Sequence, residues 1–236
     1  MTKRLVSVIV PLFNYARYLD DLVGSILSQD YRSWELIIID DCSTDNPQKT
    51  IKKHIKDERI QFVRLSKNRG YATAKNEGII RSSGEFVVVL DADDMLSPKS
   101  LSYRVKKLEE NSDSYWIHAK AYEFTDKKPY KFRWKKRKFI RRFEEIRKTK
   151  KYNKVWKCIH AQTVMTRRSA YEKVGLYEES MRSMSDKEMW ARMYYNLGNP
   201  LYLNKIVAYY RIHKQQMHRS EEKLKRVPKL HKKLYS

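Results

Sequence analysis

Two short acidic runs carry the residue types best suited to chemistry: Asp40-Asp41-Cys42-Ser43-Thr44-Asp45 and Asp91-Ala92-Asp93-Asp94. Together they hold six of the nineteen Asp and Glu residues that precede residue 127. Carboxylates set this close repel one another unless a cation or a hydrogen-bond donor compensates. A hard divalent ion such as Mg²⁺ or Mn²⁺ takes carboxylate and phosphate oxygens together, so Asp91-x-Asp93 has the pattern of a clamp between a metal and a diphosphate. Helix capping and turn formation are the plainer use of the same residues. Further on, Asp186 precedes Met189, Trp190 and Met193 at helical spacing. Residue type and spacing there suit a helix N-cap.

Elements must place these residues. Residues 5–10, 35–39, 60–65 and 85–90 are apolar runs rich in Val and Ile. Most are apolar almost throughout, the pattern of strands covered on both faces. Helical spacing recurs between them: Leu19, Leu22, Val23, Ile26 and Leu27; a segment capped by Ser43 or Thr44, with Pro47 in its first turn and Ile51 and Ile55 on one face; residues 71–81; and a helix opening at Ser97-Pro98 with Leu101, Val105 and Leu108 on one stripe. Such alternation predicts an α/β fold of βαβ crossovers with a mainly parallel central sheet. Ligands of these sheets bind at the carboxyl ends of the strands. Both acidic runs directly follow a strand, so they are expected at the ends of neighbouring strands. After about residue 126 the rhythm is lost, and the remainder reads as a basic, partly helical C-terminal region.

Composition narrows the classes. With 236 residues, 41% apolar and 12% aromatic, the chain can bury a core, which excludes wholesale disorder. No run approaches the ~18 apolar residues that span a bilayer, and the N-terminus lacks the apolar stretch of a signal peptide. Cys42 and Cys158 form neither a disulfide framework nor a zinc cluster, so a reducing, cytoplasmic location is expected. No G-x-G-x-x-G follows the first strand and no G-x-x-x-x-G-K-[ST] occurs, which disfavours dinucleotide oxidoreductases and P-loop enzymes. The charge is localised: residues 127–157 hold sixteen Lys and Arg against two acids, and residues 211–236 hold nine against two, so these segments carry +21 of the net +23.

The motifs resemble those of the family 2 glycosyltransferases. The likeness runs from Val6-Ser7-Val8-Ile9-Val10-Pro11 and Phe13-Asn14 through Ser25–Gln29 and Glu35–Asp45. It continues at Asn68-Arg69-Gly70, Ala74–Gly78 and Leu90–Asp94, and resumes at Ser185–Arg192 and Tyr210-Arg211-Ile212-His213. Cys42 stands where the family often has Gly, and Ser185 where it often has Glu. The resemblance implies a GT-A, Rossmann-like nucleotide-binding fold and a nucleotide-sugar donor, with UDP first. It divides the chain into a donor half (1–110), an acceptor half (111–215, with the basic insert 127–157) and a basic tail (216–236).

It also implies roles. Pro11, Phe13, Asn14 and Asp41 would hold the base. Asp91 would contact the ribose or support the metal shell, beside Ala92, and Asp93 would ligate a divalent cation, Mn²⁺ or Mg²⁺, that bridges the phosphates. Arg69 or Lys75 would add positive charge near the donor, unless they lie on a solvated helix face. Asp186 would be the base of a single inverting displacement. Asp94 would orient the acceptor, with His160 and Trp190 on the acceptor side. The plainer use of His160 is a buried, satisfied position, and that of Trp190 is packing beneath the base. His213 would touch the metal or a phosphate, or else be solvated.

The basic segments interleave cations with aromatics: Tyr130, Phe132, Trp134, Phe139, Phe143, Tyr152 and Trp156. That pattern suits an anionic membrane surface, and so a peripheral enzyme extending a lipid-linked or cell-surface glycan on the cytoplasmic face. It also suits the backbone and bases of a modified nucleic acid. A catalytically inactive binding module is the third reading, against which the intact acidic set argues.

Overall fold

The computed structural model describes residues 4–126, 159–181, 184–213, 215 and 216. The basic insert and almost all of the tail lie outside the described residues. Strand β1 (Val6–Leu12) is buried at every position, as is β2 (Trp34–Asp40). The reason is their place in the sheet: β1 pairs in parallel with β2 on one side and with β4 (Phe86–Val89) on the other, and β2 pairs with β3 (Ile60–Arg64). Helices cover both faces of these interior strands, so neither side of the strand can be polar. The continuous apolar runs in the sequence therefore report true double burial.

The chain continues through β5 (Met95–Leu96), β6 (Trp116–Thr125), β7 (Met165–Arg167) and β8 (Leu201–Ile212). Among the described residues these build one eight-stranded mixed sheet of order β3-β2-β1-β4-β7-β6-β8-β5. The second half thus extends the sheet instead of forming a separate region. Strand β7 joins β4 and β6 in antiparallel fashion, β8 runs parallel to β6, and β5 and β8 are antiparallel. The helices are α1 (Leu19–Leu27), α2 (Pro47–Ile51), α3 (Tyr71–Arg81), α4 (Ser100–Glu109), α5 (Arg168–Val174) and α6 (Ser185–Leu197).

Three expectations are corrected. The acidic runs end β2 and β4, which flank β1 and are not neighbours; strand order is a tertiary choice that local pattern does not encode. Helix α2 stops at Ile51, and its N-cap is Asn46 in a left-handed conformation at φ 56°, not Ser43 or Thr44. Those two residues instead brace Asn14: the Asn14 N–H donates to Ser43 Oγ at 3.0 Å, and the Thr44 N–H donates to Asn14 Oδ1 at 2.8 Å. Helix α4 starts at Ser100, because Ser97 Oγ donates to the Ile206 carbonyl of β8 at 2.9 Å and holds the preceding turn against the sheet.

A buried polar knot locks the other end of the central strands. Ser7 Oγ donates to Glu35 Oε1 at 2.6 Å, and the Gly84 N–H donates to Ser7 Oγ at 2.9 Å. A Cβ on Gly84 would lie 2.7 Å from the Ser7 nitrogen and 2.8 Å from the Leu5 carbonyl oxygen, both backbone atoms that cannot swing aside. Gly84→Ala is expected to destabilise the protein by about 2 kcal/mol, or roughly 4–8 °C in Tm. A thermal melt of the variant checks this, and an unchanged Tm would contradict the packing described.

Candidate active site

Because β1, β2 and β4 are parallel, their carboxyl ends open on one edge, and both acidic runs lie along it, on either side of β1. Asp41 follows β2. Its carboxylate accepts the Arg69 N–H at 2.6 Å on Oδ1 and the Gly70 N–H at 2.8 Å on Oδ2, and so pins the turn that starts α3. Gly70 takes φ 98° there, which a side chain would resist. Asp40 pairs with Arg64 at 2.6 Å. Cys42 sits at φ 61°, a left-handed conformation that accounts for glycine being common at this position in the family it resembles. Phe13 stands 45% exposed at the lip of the edge, and Pro11 is buried within β1.

The second run is drawn in more tightly. Asp91, Asp93 and Asp94 each present an oxygen, all within 4.8 Å of one another. Strand pairing supplies their partners. Met95 is in register with Tyr209, so the antiparallel β5–β8 ladder carries Arg211 and His213 back alongside Asp94 and Asp93. The Arg211 N–H donates to Asp94 Oδ1 at 2.8 Å, and its Nε donates to the Asp93 carbonyl at 2.7 Å. Its guanidinium pairs with Asp21 at 3.0 Å and Asp126 at 3.2 Å, and packs over the rings of Tyr18 and Phe124. His213 Nε2 lies 2.9 Å from Asp93 Oδ2, with Tyr15 and Tyr18 packed around the imidazole.

The charge has consequences. Loss of water, then Asp93 and Asp186, pushes the Asp91 carboxyl up to about 7, against the opposing pull of the Tyr71 hydroxyl and Lys75. Asp94 is raised well above the usual carboxylate range, first by burial and then by Asp93 and Asp91. Two buried atoms in the group, Asp94 Oδ2 and His213 Nδ1, hydrogen-bond to no described residue.

Asp186 is the second residue of α6 and lies near enough to Asp91 to raise its carboxyl. Met184, not Asp186, occupies the N-cap position, at φ 63°, and no side chain caps the helix. The Asp186 carboxylate instead accepts from Lys75 Nζ at 2.6 Å. Lys75, expected near the donor, is fully buried beneath the site and also donates to Ser185 Oγ at 3.2 Å. Arg69 turns its guanidinium to Glu77 at 3.0 Å and to Glu179. Asn14 braces the loop after β2. Trp190 is buried one turn beyond Asp186, where both line a cavity of about 10 Å³, at the lower limit for one water molecule. The His160 ring lies 5.4 Å from that of Tyr210. Sequence reading missed Tyr71, whose hydroxyl donates to Asp91 Oδ1, and Tyr177, which closes over Lys75. The i, i+4 spacing of Tyr71 and Lys75 on α3 was the available signal for the first.

The family model for Glycosyl transferase family 2 matches residues 7–175 of this chain. The chain belongs to that family. TuaG of Bacillus subtilis, named for a glycosyltransferase role in teichuronic acid biosynthesis, is 40% identical over 114 residues, 48% of this chain and 45% of TuaG. Crystalline S. aureus TarS 1-349 in complex with UDP-GlcNAc superimposes with a TM-score of 0.73 at 21% identity, over 91% of this chain and 60% of that one. The Pyrobaculum calidifontis mannosyltransferase PcManGT, in complex with GDP-Man and Mn²⁺, gives 0.69 at 20% identity, over 92% and 60%. These likenesses show the GT-A fold. The family 2 chain spans about half the length of TuaG and about 60% of the two solved structures.

Asp41 is the structural hinge of this edge. Asp41→Ala removes the acceptor of two backbone N–H groups, and charged hydrogen bonds contribute about 1.5–3 kcal/mol each. The variant is expected to lose about 2–4 kcal/mol of stability in a urea titration, with Asp41→Asn losing less. A loss below about 0.5 kcal/mol would count against the pinning of α3.

Proposed function

We propose that this family 2 chain is an inverting glycosyltransferase that moves a sugar from a nucleoside-diphosphate sugar, UDP-linked in the first instance, to a hydroxyl of a polysaccharide or lipid-linked glycan. The observation that carries the reading is the presence of two unlike carboxylate sites on one sheet edge. One is the acidic trio with His213, in which Asp93 and Asp94 are buried and Asp91 is partly exposed; the other is the half-open Asp186, held from behind by Lys75. The complexes of TarS with UDP-GlcNAc and of PcManGT with GDP-Man and Mn²⁺ support a nucleotide-sugar donor. The name of TuaG supports a polysaccharide acceptor. Among the described residues nothing favours a nucleic acid acceptor over a glycan. Association with an anionic membrane surface rests on the charge of residues 127–157 and 211–236.

The donor set fits a divalent ion. Carboxylate oxygens from Asp91 and Asp93 with an imidazole nitrogen from His213 suit a hard-to-borderline cation, and the buried His213 Nδ1, which hydrogen-bonds to no described residue, marks the site as electrostatically incomplete. Asp91, Asp93 and His213 would hold the ion. When bound, it would neutralise the charge that builds on the departing nucleoside diphosphate. Phe13 and Pro11, beside the Asp41 loop, would receive the base. Asp186 Oδ2 would take the acceptor hydroxyl proton as the oxygen attacks the anomeric carbon from the face opposite the phosphate. The new carbon–oxygen bond forms, and the bond to the β-phosphate breaks with its electron pair left on the phosphate oxygen. The anomeric carbon inverts. Asp94 and His160 are assigned to the acceptor side.

Loss of the general base should cost turnover and leave donor binding intact. Asp186→Asn is expected to slow UDP release from UDP-sugars by about 10²–10⁴-fold, with UDP affinity by calorimetry changed less than threefold. Turnover that survives the substitution would remove Asp186 from the chemistry.

Metal affinity should depend on pH in a defined direction. The raised Asp91 carboxyl keeps a proton below about pH 7, and that proton competes with the cation. Apparent Mn²⁺ affinity is therefore expected to fall as pH drops from 7 to 6, by up to about tenfold per unit for each proton displaced. Excess chelator should abolish UDP release at every pH. A pH-independent Mn²⁺ titration, or full activity in chelator, would exclude the site.

A further inference from the structure

The ion pair behind Asp186 has a geometry that a plain packing role does not require. Lys75 Nζ has no solvent exposure, whereas the Asp186 side chain is 22% exposed. The ammonium therefore covers one side of the carboxylate and leaves the other open. Its 2.6 Å bond is to Oδ1. Asp186 Oδ2 hydrogen-bonds to no described residue.

The cation is itself held on three sides. It lies 3.9 Å from the centre of the Tyr71 ring and 4.2 Å from that of Tyr177, and donates to Ser185 Oγ. Tyr177 is fixed in turn by Asn76 of α3: the Tyr177 N–H donates to Asn76 Oδ1 at 2.9 Å, and Asn76 Nδ2 donates to the Tyr177 carbonyl at 2.9 Å. Tyr71 spends its hydroxyl on Asp91. One helix thus reaches both reactive carboxylates, Asp91 through Tyr71 and Asp186 through Lys75. Burying a lysine costs several kcal/mol of desolvation that a well-packed apolar pair would avoid. Stability alone gives no reason for this ammonium.

Building on the assignment of Asp186 as base, we infer that Lys75 is a positioning residue for sugar transfer: it engages Asp186 Oδ1, presents Oδ2 to the acceptor hydroxyl, and ties that oxygen through α3 to the carboxylates that face the donor. In this role Lys75 engages Asp186 through its hydrogen bond and transfers no proton. The acceptor proton goes to Oδ2, and the leaving electron pair goes to the phosphate oxygen.

The test uses the full 236-residue chain, Mn²⁺, and a panel of UDP-GlcNAc, UDP-Glc, UDP-Gal and GDP-Man, with release of the nucleoside diphosphate to water as the readout. Lys75→Met keeps length and removes charge. It is expected to lower kcat by about 100-fold, the scale of a misplaced catalytic group, with KM and UDP affinity changed less than threefold. Lys75→Arg should recover at least tenfold of that loss. The double variant Lys75→Met/Asp186→Asn should be no slower than Asp186→Asn alone, because both changes disable the same oxygen. Circular dichroism and Tm are read for each variant, and the Arg rescue with the non-additive double keeps the test valid where Lys75→Met loses stability.

Several results would overturn the inference. Unchanged kcat in Lys75→Met beside a disabled Asp186→Asn would do so while leaving the base assignment standing. A tenfold weaker UDP affinity with kcat preserved would move Lys75 to the donor. Additive losses in the double variant would make the lysine independent of the base. Full turnover in Asp186→Asn, or silence of the unaltered chain across the panel, would remove the base assignment itself and the inference with it.

Discussion

The architecture depends on gathering negative charge where a parallel sheet ends. Asp91, Asp93, Asp94 and Asp186 converge on one edge, and three of them lie close enough to share a ligand. Such a cluster is unstable in isolation, so each part of the surrounding structure supplies a counterweight. Arg211 reaches across from β8 to the loop of Asp93 and Asp94, while Tyr71 and Lys75 answer Asp91 and Asp186 from α3. A residual imbalance is visible in the raised carboxyls of Asp91 and Asp94.

The two halves contribute differently. The β1–β4 region with α3 forms a rigid floor, because its strands are buried on both faces and its turns are pinned by Asp41 and the Ser7–Glu35–Gly84 knot. The second half adds the opposing groups, His213 from β8 and Asp186 from α6. Their precision derives from register: β8 is paired with both β5 and β6, and α6 is anchored by the buried Trp190 and Met189. On this edge, second-half side chains are placed against a first-half platform.

Much of this was legible in the sequence, for identifiable reasons. Strands buried on both faces write continuous Val and Ile runs, and the acidic residues after β2 and β4 follow them directly, so sheet type and the acidic edge could be read. Asp186 and His213 stood out through family motifs. The rest depended on tertiary choices. Nothing local says that β1 lies between β2 and β4, or that β8 will return beside β5. Lys75 looks like a helix-face cation until Tyr71 and Tyr177 enclose it, and Ser43 looks like a helix cap until Asn14 claims it. Arg211 was noted only as a neighbour of His213, since its four-way bonding needs α1, β6 and the Asp93 loop to have been assembled first.

The pairing of His213 with Asp93 joins positions 120 residues apart. During synthesis, β1 to β4 with α3 emerge early and are stitched largely by short βαβ crossovers, while β8 can dock only after β5, β6 and β7 have been laid down. Contacts of such long sequence separation form slowly, and domains tend to order from the N-terminal side during translation. A partly made chain that stops short of β8 therefore holds the acidic loop without its His213 partner.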